Sequence, residues 1–230
     1  MRRLALALLV LAAGCMSESP TPAPTPEPAG PVRYLALGDS YTIGEGTKRA
    51  DRWPNQLADT LRDSGLDVEP PIIVAQTGWT VDELDAGIGA ADPQGPFDLV
   101  TLLIGVNDQY RRYSLDGYRA DYRRVLGRAI GFAGDDPGRV VAVSFPDWSV
   151  TPFAEQAERT PDQIAAEVDA FNAIAREEAE AAGVAWVDIT GLSRLQGDLV
   201  VHDGLHPRAE AYAGWVGRIA PAARAALAGE

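Results

Sequence analysis

Five short apolar runs alternate with helix-like segments along most of this chain, and this alternation constrains the fold more than any other feature. The runs are rich in Val, Ile, Leu and Ala and cover residues 32–37, 72–75, 99–104, 140–145 and 184–189. Continuous apolar runs of this length are typical of strands buried on both faces, as in parallel sheets. Joined by right-handed crossovers, they predict one α/β domain built as a three-layer α/β/α sandwich.

Helical periodicity fills the intervals between the runs. The segment 115–132 repeats apolar residues at helical spacing along one stripe. Thr160-Pro161-Asp162-Gln163 has the spacing of a capping box with proline at the first helical position. We predict helices over residues 53–64, 81–85, 115–132, 161–182 and 208–227.

Small and polar residues follow the first run, where a strand would end. Gly38, Asp39 and Ser40 come first, and Gly44 and Gly46 follow where the chain would turn. Open α/β sheets keep their sites at the carboxyl ends of the strands, so Ser40 stands where a nucleophile would be held. Taken alone, the segment is more typical of an ordinary βα turn or a helix cap.

The two histidines of the chain lie four residues apart, at positions 202 and 206. If a histidine activates Ser40, it must be His202 or His206. Asp203 precedes His206 by three residues, and if Pro207 opens the last helix the pair shares one turn. The carboxylate would then accept the Nδ1 proton and leave Nε2 free to act as a base, which favours His206. A helix cap and a loop histidine are the alternative interpretation.

Acyl transfer needs hydrogen-bond donors that stabilise a developing oxyanion. Three candidates follow strand ends: the Ser40 backbone N–H, the Gly78 N–H, which no side chain obstructs, and the Asn107 side-chain amide. Gly78 alone would be interpreted as a turn glycine, and Asn107 alone as a turn or cap residue. Only the combination indicates catalysis.

In order and spacing, these segments resemble the four sequence blocks of the SGNH hydrolases, also called GDSL esterases and lipases. The resemblance extends from Val32 to the C-terminus and implies a flavodoxin-like five-stranded parallel sheet of order 2-1-3-4-5. It implies that Ser40 is the nucleophile, His206 the base and Asp203 its orienting acid. It also implies an oxyanion hole of Ser40, Gly78 and Asn107, and a reaction without metal or cofactor. The matching blocks are Gly38-Asp39-Ser40, Gly78, Gly105-Val106-Asn107-Asp108 and Asp203-x-x-His206.

The chain departs from the family pattern at two positions. Tyr41 stands where leucine is common, which affects the wall of the site. Thr77 precedes Gly78, where the second block often has asparagine, so the assignment of Gly78 rests on fewer matching residues than that of Ser40.

Aromatic side chains follow several strand ends and could wall a pocket for an acyl group or a sugar. Aromatic residues in loops pack under those loops as often as they bind ligands, so both interpretations stay open. The adjacent Arg111 and Arg112 could meet an anionic group of a substrate, but a solvated surface pair is favoured. The candidate wall residues are Tyr41, Trp79, Tyr110 and Trp148, with Phe153 beside them.

The N-terminus predicts export and a lipid anchor. Residues 1–14 join a basic start to an apolar run too short to span a bilayer. Residues 11–15 resemble the lipobox of bacterial lipoproteins, in which the cysteine is lipidated, and Cys15 is the one cysteine in the chain. Residues 15–31 form a proline-rich tether, so we expect a catalytic domain at 32–230 held at a membrane through Cys15. Signal cleavage without lipidation is the alternative.

The sequence as a whole predicts a serine esterase that forms an acyl-enzyme on a small ester, a lipid or an acetylated sugar. A net charge of −13 argues against nucleic acid as a partner, and we expect a monomer. The first competing hypothesis is a non-catalytic envelope lipoprotein that binds a glycan or lipid in the same cleft. The second is a metallohydrolase that uses His202, Asp203 and His206, for which the chain offers no further histidine.

Overall fold

The computed structural model of the protein describes residues 30–229. Its centre is one parallel sheet of five strands in the order β2-β1-β3-β4-β5, as the family resemblance implied. The predicted runs mark all five strands but extend past most of them. The reason is that an apolar run can continue beyond the point where sheet pairing stops. The backbone N–H and carbonyl of Phe145, for example, bind the side-chain amide of Asn172 instead of a neighbouring strand. The strands are β1 (Tyr34–Gly38), β2 (Ile72–Ala75), β3 (Leu99–Leu103), β4 (Val140–Val143) and β5 (Ala185–Val187).

Helices cover the sheet in two groups. One group pairs α2 with α8, which packs on β4, while α5 of the other group packs on β3 between α3 and α6. Strands β1, β3 and β4 are buried along their whole length, as expected for the middle layer of a sandwich. The helices are α1 (Ser40–Ile43), α2 (Trp53–Asp63), α3 (Val81–Ala91), α4 (Val106–Tyr110), α5 (Leu115–Phe132), α6 (Pro161–Ala181), α7 (Thr190–Ser193) and α8 (Ala209–Ala228).

The boundaries of the five predicted helices agree with the observed ones to within one residue, except at the end of α3. Helix α3 continues to Ala91 rather than residue 85, because glycines at 87 and 89 weaken the apolar pattern without ending the helix. Pro207 does not open the last helix, which begins at Ala209. Pro207 instead pairs with Val200 in an antiparallel bridge, which holds it in an extended conformation. Asp203 and His206 therefore occupy a turn that precedes the helix.

The predicted export signal, Cys15 and nearly all of the proline-rich tether lie outside the described residues. Their assignments stay predictions. Within residues 30–229, no helix combines the length and the apolar character needed to cross a membrane.

Candidate active site

Ser40 is placed by a tight connection between β1 and α1. Asp39 is the N-cap of α1, and its Oδ1 accepts the N–H of Tyr41 at 2.9 Å. A Cβ on Gly38 would lie 2.2 Å from Thr42 Oγ1 and 2.5 Å from the Leu103 carbonyl oxygen, so only glycine fits there. Ser40 is consequently the first residue of the helix, directly after the strand edge.

Residues from four separate segments meet in one pocket of about 190 Å³. They follow β1, β2 and β3 or precede α8, and the carboxyl ends of the three strands bring them to the same edge of the sheet. The structure thus gathers the residues that the sequence singled out for catalysis. They are Ser40, Gly78, Asn107 and His206.

His206 is held by Asp203. The ring Nδ1 lies 2.7 Å from Asp203 Oδ2, while Asp203 Oδ1 accepts the backbone N–H groups of Leu205 at 2.8 Å and His206 at 3.0 Å. Partial burial alone would raise the pKa of Asp203, but the hydrogen bonds from His206 and Leu205 outweigh it and lower that pKa. The arrangement leaves Nε2 as the ring nitrogen available to a substrate or to Ser40.

Two features distinguish His206 from His202. The His206 ring packs against Tyr41 in a tilted arrangement, with ring centroids 5.4 Å apart, and the residue is buried at the pocket. His202 is exposed and is not among the pocket residues. Ser40 makes no direct hydrogen bond to His206 within the described part of the chain, a contact that often tightens only when substrate binds.

The pocket also contains hydrogen-bond donors that are not already used by the protein. The N–H groups of Ser40 and Gly78 donate to no acceptor among residues 30–229. Gly78 has a φ of +86°, in the left-handed region that glycine adopts without strain. Asn107 Nδ2 donates to the Trp79 carbonyl at 2.9 Å, which leaves its second N–H available. This set of donors is suited to an anionic oxygen.

Aromatic residues form the far wall of the pocket. Tyr110 contacts both Trp148 and Phe153, with ring centroids 5.6 and 6.3 Å apart. Tyr41 lines the pocket as well. Trp148 is fixed by its own hydrogen bond, since Nε1 donates to Gln109 Oε1 at 2.8 Å.

Trp79 lies in a different place from the one that we expected. It is not among the residues of this pocket and instead lines an adjoining groove with Gly87 and Arg111. The cause is Gly87, where a Cβ would come within 2.0 Å of the indole, so the missing side chain makes room for the ring against α3. No local pattern in the sequence indicates this contact.

Sequence reasoning also missed residues that line or support the site. Thr77, Val106 and Leu205 line the pocket. Gln109 orients Trp148 and donates its own amide to Glu167 Oε2 at 2.7 Å. The position of Gln109, two residues after Asn107, could have drawn attention to it, but the sequence gives no indication that Glu167 is its partner.

Two buried carboxyl groups lie beneath the site. Asp39 is fully buried, and burial raises its pKa to about 8, with a smaller contribution from the nearby charge of Asp108. Burial likewise raises the pKa of Asp108 to about 7, against the hydrogen bond that it accepts from the Val81 N–H at 3.1 Å. Asp39 Oδ2 has no hydrogen-bond partner among residues 30–229, which adds to the cost of ionising that carboxyl.

No group of three or more His, Cys, Asp or Glu residues in the range 30–229 is arranged to hold a metal ion.

A sequence model of the GDSL-like lipase/acylhydrolase family matches residues 36–213, which is most of the chain. A search of curated protein sequences finds no match.

Solved structures share this fold at low sequence identity. TesA is 18% identical with a TM-score of 0.65, covering 83% of this chain and 97% of its own. The lipase/acylhydrolase from Enterococcus faecalis is 18% identical with a TM-score of 0.63, covering 83% and 94%. Axe2, an acetylxylan esterase from Geobacillus stearothermophilus, is 18% identical with a TM-score of 0.59, covering 85% and 94%. The likeness establishes an SGNH hydrolase fold.

We predict that Asp39→Asn stabilises the protein increasingly as pH rises. With a pKa of about 8 in the folded chain and 3.8 as the ordinary value, Asp39 stays protonated only in the folded state over this interval. The stability that this protonation supplies is complete below pH 3.8 and is lost as pH rises through about 8, at no more than about 1.4 kcal/mol per pH unit. Asparagine stays neutral and keeps the acceptor for the Tyr41 N–H.

Urea unfolding of both proteins at pH 5, 6.5 and 8.5 measures this difference. Asp63→Asn, at an exposed position, serves as the matched control and should track the wild type. A difference between Asp39→Asn and wild type that stays constant with pH would show that Asp39 ionises normally.

Proposed function

The chain belongs to the GDSL-like lipase/acylhydrolase family and is an ester hydrolase, and on this premise we propose that it acts through an acyl-enzyme formed on Ser40. The observation that carries the proposal is the meeting in one pocket of Ser40, unoccupied backbone donors and His206, whose ring is held by Asp203. Each group has a separate task in acyl transfer.

Acylation begins when Ser40 Oγ attacks the carbonyl carbon of the ester. His206 Nε2 takes the hydroxyl proton, and the carbonyl electron pair moves onto oxygen to give a tetrahedral oxyanion. When that pair returns, the bond to the alcohol oxygen breaks and His206 donates the proton to the departing alcohol. Water then attacks the acyl-Ser40 ester by the same steps, releasing the carboxylic acid and restoring the hydroxyl.

Asp203 orients the base and stabilises the imidazolium that forms during both steps. Its carboxylate already accepts two backbone N–H groups, so the oxygen facing Nδ1 is fixed in place before substrate arrives. Because its pKa is lowered, Asp203 stays ionised while the His206 ring carries the proton.

The N–H groups of Ser40 and Gly78, with the free N–H of Asn107 Nδ2, form the proposed oxyanion hole. Removing one such donor typically raises the barrier by about 3 to 4 kcal/mol. The three donors come from segments after three different strands, so the hole exists only in the folded sheet.

The size of the pocket favours a short acyl group. Its volume of about 190 Å³ is close to that of an engineered protein cavity of about 150 Å³ that holds benzene, a six-carbon ligand. Tyr110, Trp148 and Phe153 line that space and contact one another. We therefore place small esters, including acetylated sugars, ahead of long-chain lipids as substrates.

The location of the enzyme is proposed from the N-terminal sequence. Residues 1–14 would direct export, and lipidation of Cys15 would hold the domain at the membrane through the proline-rich segment that follows. The hydrolase would then act outside the cytoplasm on substrates of the cell envelope.

We predict that Ser40→Ala and His206→Ala each reduce kcat/KM for p-nitrophenyl butyrate by about 10⁴-fold or more. The first change removes the nucleophile and the second removes its base, and either loss stops acylation. Steady-state kinetics on the purified protein measures the effect, with circular dichroism to confirm folding.

His202→Ala is the matched control, because it removes the other histidine of the same segment at an exposed position. We expect its kcat/KM to stay within about twofold of wild type. Wild-type hydrolysis by Ser40→Ala would refute the mechanism.

We predict that kcat/KM is highest for acetyl to butyryl esters and falls by about 100-fold at octanoyl, because the pocket of about 190 Å³ and its aromatic lining leave little room for a longer chain. Tyr110→Ala should raise the octanoyl to butyryl ratio about tenfold. Tyr113→Ala, also an exposed tyrosine but outside the pocket, should leave the ratio unchanged. A series of p-nitrophenyl esters tests this, and equal rates for butyryl and octanoyl in the wild type would contradict it.

We predict that Cys15→Ser moves the protein from the membrane fraction to the soluble fraction of an expressing bacterium. It should also abolish incorporation of radiolabelled palmitate, since the acceptor thiol is gone. Ser40→Ala leaves the N-terminal sequence intact and should behave as wild type in both assays. An unlabelled, soluble wild-type protein would exclude the anchor.

A further inference from the structure

Arg111 and Arg112 are neighbours in sequence but differ in their contacts. Arg112 forms an ion pair with Glu158 at 3.4 Å, and its side chain is 62% exposed. Arg111 Nη2 donates to the Gly78 carbonyl oxygen at 2.6 Å, and Nη1 donates to Glu83 Oε1 at 2.9 Å. Both side chains are exposed, as expected for a solvated surface pair, but Arg111 also binds the backbone of Gly78.

The Arg111 contact is one of four that hold the segment from Gly78 to Val81. Four successive residues of this segment each use a backbone group to bind a side chain. The pairs are Gly78 O with Arg111, Trp79 O with Asn107 at 2.9 Å, Thr80 N with Glu83 at 3.0 Å, and Val81 N with Asp108 at 3.1 Å. Three of the four side chains belong to α4 or its C-cap, so the segment is fastened to the element that also carries Asn107.

Gly78 is the residue of this segment that most needs such support. It has no side chain, and glycine samples both signs of φ with little energy difference. Its neighbours Gln76 and Thr77 are exposed. The N–H and the carbonyl of Gly78 belong to adjacent peptide units that share its Cα. A bond that fixes the carbonyl therefore limits the ψ angle of Gly78 and narrows the orientations open to the N–H.

We propose that Arg111 is a positioning residue that holds the Gly78 N–H in the orientation required by the oxyanion. The inference rests on the proposed function, because Gly78 matters to catalysis only if an oxyanion forms. Arg111 itself acts through Gly78 and Glu83 and is not among the residues lining the catalytic pocket. Arg112 does not contact residues 78–81 and therefore does not position the Gly78 N–H.

Position and exposure together predict a kinetic effect without a large loss of stability. The Arg111 and Glu83 side chains are 39% and 40% exposed, and exposed ion pairs contribute little to folding. Small misplacements of catalytic groups, by contrast, reduce rates by factors up to about 100. The substitution should therefore lower kcat while KM, which reports ground-state binding, stays nearly constant.

The test compares Arg111→Met, Arg111→Lys and Arg112→Met in the full-length protein with p-nitrophenyl butyrate. We expect kcat to fall about 10- to 100-fold in Arg111→Met with KM within threefold of wild type. Lysine keeps the charge but has a single donor nitrogen in place of the two that bind Gly78 and Glu83. Arg111→Lys should therefore retain more of the wild-type kcat than Arg111→Met. Arg112→Met should stay within twofold of wild type in both parameters.

A second readout separates positioning from a general structural role. A trifluoromethyl ketone forms a hemiketal with Ser40 whose oxygen occupies the oxyanion hole, so its binding reports the donors directly. We expect the inhibition constant of the ketone to rise in Arg111→Met in proportion to the loss of kcat/KM. We expect the melting temperature of Arg111→Lys to stay near that of wild type. A general loss of folded structure would not keep the inhibition constant proportional to the loss of kcat/KM.

Several results would overturn the inference. These are a kcat of Arg111→Met within twofold of wild type, an equal loss in Arg112→Met, or an inhibition constant that does not change while kcat falls. An increase in KM at constant kcat would assign Arg111 to substrate binding instead. The proposed function fails separately, if Ser40→Ala retains hydrolysis, whatever the arginine variants do.

Discussion

The absence of a side chain at Gly38 is the constraint on which the site depends. At this residue β1 runs so close to β3 and to α1 that a Cβ would collide with the Leu103 carbonyl and with Thr42. The chain can therefore leave the strand and start a helix at Ser40 with one intervening residue, Asp39. Ser40 gains a free backbone N–H because it lies in the first turn of that helix, and it gains access to the pocket because it lies at the edge of the sheet.

The loops around Ser40 share one local hydrogen-bond motif. Asp39, Asp147 and Asp203 each accept the backbone N–H of the residue two positions later, at 2.8 to 2.9 Å. An aspartate turn of this kind fixes a short connection without regular secondary structure. The three turns carry Ser40, Trp148 and His206, so nucleophile, pocket wall and base share the same local support. Asp203 alone uses its second oxygen on the base itself.

More of the fold than of the pocket could be predicted from the sequence. Five apolar runs gave the strands, and their alternation with helices gave the parallel arrangement. The residues that follow strand ends, Ser40, Gly78 and Asn107, meet in space because parallel strands present their carboxyl ends on one edge. The position of Trp79 could not be obtained this way, because it depends on the space left by Gly87 on a helix that follows in sequence.

The sequence by itself determined that five buried strands alternate with helices and which residues follow each strand, because hydrophobic periodicity and turn residues are local properties. It also determined that any histidine base must come from residues 202–206. The tertiary structure decided which side chains support those residues. Arg111 reaches Gly78 across 33 positions and Gln109 reaches Trp148 across 39. Such contacts are set by the packing of separate elements, and no local pattern encodes them.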